Sequence, residues 1–165
     1  MYSRSIRDLQ ASAIFASALQ PDDDELIQVC AMAVRVACRR MTPRYLKALN
    51  DSVGQACCLP SRFDWDRKVT AHAEIINLLS EVAEDPALAV LLRDVPGQLH
   101  DLTVAVGPVA SGIIAGSRRR LLALLQAGDA DGAAREMEKH LGGLLWMRGV
   151  FRRPAPDAVR ANIAV

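Results

Sequence analysis

The sequence predicts an all-α domain, on three observations. Ala, Leu and Arg dominate and only 4% of residues are aromatic, a mix that enters helices at little entropic cost. Apolar residues recur at helical spacing through most of the chain, and the stretches open on helix-start signals. No run alternates apolar and polar residues as a half-buried strand would. The 165 residues suit one domain, large enough to bury a core without disulfide or metal staples.

A first segment, about Ser5 to Leu19, is polar enough to be an arm or linker helix. Pro21 followed by Asp22, Asp23, Asp24 and Glu25 then starts a helix, with acidic side chains at the positive end of its dipole. Leu26, Val29, Cys30, Ala33, Val34 and Ala37 form its apolar face, and it closes near Met41 with Arg39 and Arg40 at the negative end. Thr42-Pro43 begins the next, a cap followed by proline in the first turn, carrying Tyr45, Leu46, Leu49 and Val53. A loop around Cys57 to Pro60 follows. Ser61 is expected to cap a long helix to about Ala83, with Phe63, Val69, Ile75, Ile76, Leu79 and Val82 inward. Asp85-Pro86 begins another, to about Val106, with a bend expected at Pro96-Gly97. Gly107-Pro108 opens a helix to Ala127, and Gly128-Asp129 closes it and caps the last, to about Arg148. These elements place a helical domain at 21–150, between an arm at 1–20 and a loosely held tail at 151–165 with Pro154 and Pro156.

A formal net charge of +1 gives no overall electrostatic case for nucleic acid or an anionic membrane. The triplet Arg118-Arg119-Arg120 has no interleaved aromatics and reads as a solvated face with one member turned inward. The four cysteines include no CxxC pair, so reduced and mostly buried thiols in a cytoplasmic protein are expected. Arg4, Arg7 and the apolar stretch before Ala16-Ser17-Ala18 resemble a signal peptide weakly, but Asp8 and the short apolar run argue against one. No run of eighteen apolar residues is present to span a membrane. Gly-rich phosphate loops, a GxSxG elbow and HExxH are all missing, so no enzyme activity is expected.

Asp85-Pro86-Ala87-Leu88, Ser117 to Asp129 (SRRRLLALLQAGD) and Ala133 to Leu141 (AAREMEKHL) carry a family resemblance. The helix ending Ala-Gly-Asp, followed by Ala-Ala, a Met and a His-Leu, is its strongest part. Over roughly residues 22 to 148 the chain resembles the FCD-type C-terminal effector-binding domain of FadR-like, GntR-type transcriptional regulators. The resemblance implies a single antiparallel bundle of six to seven helices around a central cavity. In many members an Asp and three His hold a divalent cation that, with an arginine, binds a small carboxylate. Aligned from Asp85-Pro86 backwards, His72 stands at the Asp position, Ile76 at the first His, Arg118 at the next and His140 at the last. A register one turn away makes His72 the first His but puts Lys68 at the Asp position. Neither register restores the ligand set.

Isoleucine cannot ligate a cation, and a central arginine repels one. A fixed guanidinium instead offers a forked donor matched to a carboxylate. The expected site is therefore a metal-free carboxylate pocket of His72, Arg118 and His140, with Ile76 and, more loosely, His100 in its lining. No cofactor is expected, and a divalent metal is disfavoured. The expected partners are a small carboxylate effector and a second copy of the chain, the apolar stripe Met32, Ala33 and Val36 offering a homodimer face. DNA would be contacted only through a winged-helix domain that the roughly twenty residues before the acidic start do not provide. Three alternatives stay open: a ligand-free dimerisation module with a closed core, a metal-dependent sensor, and a small metal-dependent helical enzyme using His72, His100 and His140.

Overall fold

The computed structural model describes residues 21–59 and 64–151. Among these residues it contains seven α-helices, one short 3-10 helix and no strand: α1 (Pro21–Arg39), α2 (Pro43–Cys58), α3 (Trp65–Ala83), α4 (Pro86–Leu91), α5 (Val95–Val106), the 3-10 turn Pro108–Ala110, α6 (Ser111–Gln126) and α7 (Ala130–Phe151). The arm, the tail beyond residue 151, Ser61 and Phe63 lie outside the described residues.

Local chemistry sets the helix ends. Thr42 caps α2 by accepting from the Tyr45 N–H, and Asp85 caps α4 by accepting from the N–H groups of Ala87 and Leu88. Gly128, at φ 71°, turns the chain out of α6 in the left-handed conformation that glycine adopts without steric cost. Its N–H reaches the Leu125 carbonyl and that of Asp129 reaches Leu124, the paired closure of a Schellman motif. The Asp129 carboxylate then accepts from the Gly132 N–H. A Cβ at residue 132 would sit 2.2 Å from that carboxylate, so a larger residue there would make the Asp129 side chain shift.

Three boundaries differ from expectation. The Asp85–Val106 helix breaks at Leu92–Asp94 instead of bending at Pro96-Gly97, and Pro96 stands in the first turn of α5. Proline lacks only an N–H that the first turn leaves unpaired anyway, so it starts a helix here instead of kinking one. After Gly107, at φ 82°, a single 3-10 turn precedes α6. Arg40 does not serve the end of its own helix; it donates to the carbonyls of Ala83 and Glu84, where α3 ends in a left-handed turn.

The helices form a bundle in which α1 lies along α7, while α3 packs on α1, α2 and α5, and α6 on α2 and α7. The larger apolar cluster takes Val29, Cys30, Val34, Ile75, Ile76, Leu79, Leu121, Leu125, Met137 and Leu141 from α1, α3, α6 and α7. A second, of Leu102, Val106, Ala110, Ile114, Leu144, Leu145 and Met147, fills the end of the bundle where the 3-10 turn lies. Of the stripe proposed for dimerisation, Ala33 is fully buried and Val36 packs on the core, leaving only Met32 substantially exposed. No single helix among the described residues is long and apolar enough to cross a membrane.

Candidate functional site

Helical spacing delivers polar groups to the middle of this bundle. On α6, Arg118 shares a face with Ile114, Leu121, Leu122 and Leu125, all buried, while Arg119 and Arg120 are exposed. On α3, His72 shares a face with Lys68, Val69, Ile75 and Ile76. On α7, His140 is flanked by Met137, Leu141 and Leu144. Arg118, His72 and His140 are 3–4% exposed, so each of them is taken out of water almost completely.

The structure brings these three together. The Arg118 guanidinium donates over 3.5 Å to the His72 backbone carbonyl and approaches the Met137 sulfur at 3.9 Å. Both contacts are long, the second to a weak acceptor. Arg118 Nε, both ring nitrogens of His72 and Nδ1 of His140 are sealed from solvent with no hydrogen-bond partner. Buried polar groups in folded proteins are nearly always paired, because an unpaired one forfeits its hydration without return. Four such atoms are gathered here on three helices.

The electrostatics are those of a buried guanidinium without a carboxylate partner, with the Lys68 ammonium close enough to act on His72. Burial pushes Arg118 down to about 10, with the nearby Cys30 and Cys57 acting in the opposite sense, so the guanidinium stays charged at neutral pH. Burial raises the Cys30 thiol to about 12 against the pull of Arg118, keeping it neutral. Burial, then Arg118 and Lys68, lower His72 to about 3. The same desolvation, followed by Arg118, His72 and Arg120, holds His140 well below the ordinary imidazole range. Both histidines are neutral at pH 7, each ring offering one donor and one acceptor.

Of the other expected lining residues, Ile76 is fully buried in the apolar core one turn from His72. His100 stands apart, bonded at 3.0 Å to Asp66 and at 3.4 Å to Asp101 near the protein surface. Cys30 was not anticipated as a neighbour of the site, and Lys68 was placed there only by the alternative register. The Lys68 ammonium donates to the carbonyls of Leu59 (2.8 Å) and Cys57 (3.5 Å), closing the end of α2. Its position four residues before His72 was the available signal.

A separate surface hollow of about 620 Å³ is lined by residues including Asp23, Glu25, Leu26, Asp94, Leu102 and Arg148. None of His72, Arg118 or His140 lines it. Its charges are already engaged in part, since Arg148 donates to Asp23 at 2.7 Å.

The metal site implied by the resemblance does not fit these residues. Among the described residues no group of three or more His, Cys, Asp or Glu side chains is placed to hold a metal ion. The Arg118 guanidinium, whose charge acts on both imidazoles, repels a cation and cannot ligate it.

The described residues thus form a helical bundle with a buried arginine and two neutral histidines in its interior. The sequence model of the FCD domain matches residues 27–143, and the chain belongs to that family, the C-terminal effector-binding domain of GntR/FadR-like regulators. No curated protein and no solved structure gives a significant match to the chain.

Proposed function

We propose that this domain senses a small organic acid at Arg118, His72 and His140, without a metal ion and without catalysis. One observation carries the reading: a charged, fully buried guanidinium with no carboxylate partner, beside imidazole nitrogens that also lack partners. A carboxylate would supply the counter-charge and accept from the guanidinium fork. His72 and His140, from facing helices, would bond its remaining polar groups. Binding would draw α3, α6 and α7 onto one ligand, and the mechanism is a population shift in their packing. In a homodimer that shift would alter the relative placement of two copies, with DNA contact assigned to a winged-helix domain outside the bundle.

A thermal-shift panel of mono-, di- and tricarboxylates, each with chelator and with added zinc or nickel, tests this. The expected result is a rise of several degrees with one acid, unchanged by chelator; a ligand at about a hundred times its Kd adds roughly 2.7 kcal/mol. A rise that needs metal would replace this reading with a metal-dependent sensor. Indifference to every acid would favour a ligand-free dimerisation module whose core is closed around Ile76.

A further inference from the structure

We infer that the effector of this centre carries a single negative charge, and that its other polar groups are neutral hydroxyl or carbonyl oxygens. The inference rests on the acid-sensing reading above and narrows it to a class of acid.

The argument is a charge inventory of every helix that reaches the site. From α1 comes Cys30, a neutral thiol in the core. From α2 comes Cys57, whose backbone carbonyl, with that of Leu59, receives the Lys68 ammonium. From α3 come Lys68, so engaged, and His72. From α6 come Arg118 and Arg120, the latter bound to Glu136 at 2.9 Å. From α7 comes His140. The described buried carboxylates are Asp23 and Glu136, and each already holds an arginine, Arg148 and Arg120 respectively. Among the described residues Lys68 has no carboxylate partner either, but its ammonium is held by two carbonyls at the negative end of α2. Arg118 has only two long contacts. One guanidinium is left to be balanced, and one carboxylate balances it.

A second carboxylate would be lodged against imidazoles that burial keeps uncharged. It would enter only by bringing a proton, on itself or on a histidine, because an unpaired anion in a dry site loses its hydration without return. Neutral imidazoles suit a different group. His72, with both nitrogens unpaired, can donate to one oxygen and accept from a hydroxyl, and Nδ1 of His140 can bond another. Met137 and Ile76 add apolar wall to the same centre, which suits a short hydrocarbon skeleton.

The test is titration calorimetry on the full chain near neutral pH, in two buffers of different ionisation enthalpy. The probes are pyruvate, 2-hydroxybutyrate, 3-hydroxybutyrate and butyrate against succinate, malate and citrate. At least one singly charged hydroxy or keto acid should bind without net proton exchange. Each di- or tricarboxylate should bind at least about a hundredfold more weakly and take up about one proton for each extra charge, tightening up to tenfold per pH unit of acidification. The preference for 2- or 3-hydroxybutyrate over butyrate should shrink at least about tenfold in His72→Phe, whose folding is checked by thermal unfolding. A dicarboxylate that binds as tightly as the monoacids with no proton uptake would overturn the single-charge inference and leave acid sensing standing. Silence from every probe, in a panel where the folded state is intact, would overturn both.

Discussion

Arg118 and Arg120 leave the same helix two residues apart, and both reach towards α7, yet the chain treats them differently. Arg120, at the surface, meets Glu136 at 2.9 Å in a conventional ion pair. Arg118, in the interior where pairing matters most, meets a methionine sulfur and a distant carbonyl. The same contrast holds for Arg148, half a helix further along, which is matched by Asp23. A fold that gives Arg120 and Arg148 carboxylate partners and leaves Arg118 without one is not short of carboxylates. The difference teaches that the missing partner of Arg118 is better sought outside the chain, because leaving a charge unmatched in the core costs stability that natural cores seldom give up.

Acid titration should break or sharpen this comparison most forcefully. His72 and His140 are held below their ordinary pKa of 6.5, so the unfolded chain binds protons that the folded chain refuses. Their contribution to stability is therefore present above pH 6.5 and is lost as pH falls below it, for His72 down to about 3. For His72 the slope approaches about 1.4 kcal/mol per pH unit, or about 2 kcal/mol on going from pH 6.5 to roughly 5. His140 adds a loss of the same sign. Chemical denaturation across that range should show the loss, and His72→Phe should remove His72's share of it, about 2 kcal/mol. A flat profile would mean that both rings titrate as surface histidines do, and the sealed centre would be an incorrect description.

Arg118→Met comes next. Methionine has similar reach and no charge to desolvate, so the ligand-free protein should gain about 1–3 kcal/mol, while any acid-induced thermal shift disappears. Denaturant unfolding of both proteins checks the first effect and the acid panel the second. Loss of stability would show that the guanidinium is satisfied in the folded protein, which would dissolve the contrast with Arg120. Asp23→Asn supplies the opposite case. It removes the partner of Arg148 from a largely buried pair and should cost about 1–3 kcal/mol, measured in the same denaturation series. The two substitutions should thus move stability in opposite directions, one by removing an unmatched charge and the other by creating one.

How much of this was legible beforehand follows the range of the interactions. Thr42, Asp85, Gly128 and Asp129 act within four residues of themselves, and the helix starts and stops they set were readable along the chain. Pro96 was misread because proline's effect depends on whether the helix has already begun, and the break at Leu92–Asp94 decides that. The inward member of the arginine triplet follows from its spacing to Ile114, Leu121 and Leu125, so Arg118 was identifiable. That it would meet His72 and His140 came from the family resemblance, since helices distant in sequence declare no contact through their own periodicity. The same reason hid Cys30, which is an ordinary core residue until α1 is folded against the other helices, while Lys68 came into view only through the alternative register of the resemblance. His100 shows the converse: a residue placed by loose likeness alone sits instead with Asp66 and Asp101.

The smallest expected effect isolates the peripheral half of the comparison. Burial alone would raise the Glu136 carboxyl, but hydrogen bonds from Arg120 and Ser117 and the charges of Arg120 and Lys139 outweigh it and hold the pKa below 4.5. A carboxylate so lowered adds stability that is present above pH 4.5 and is lost as pH falls through its folded value. Arg120→Ala should shift Tm at neutral pH by less than about 2 °C, as expected when an arginine this open to solvent loses its pair. It should also reduce the loss of stability seen below pH 4.5, since less of Glu136's advantage would then remain to be lost. That window lies apart from the onset of the histidine effect at pH 6.5, so one pH series on the wild type and on Arg120→Ala separates the two. If the substitution altered the profile near pH 6 as strongly as Arg118→Met does, the outer and inner arginines would belong to one coupled network, and the open centre could not be treated as a site distinct from the ion pairs around it.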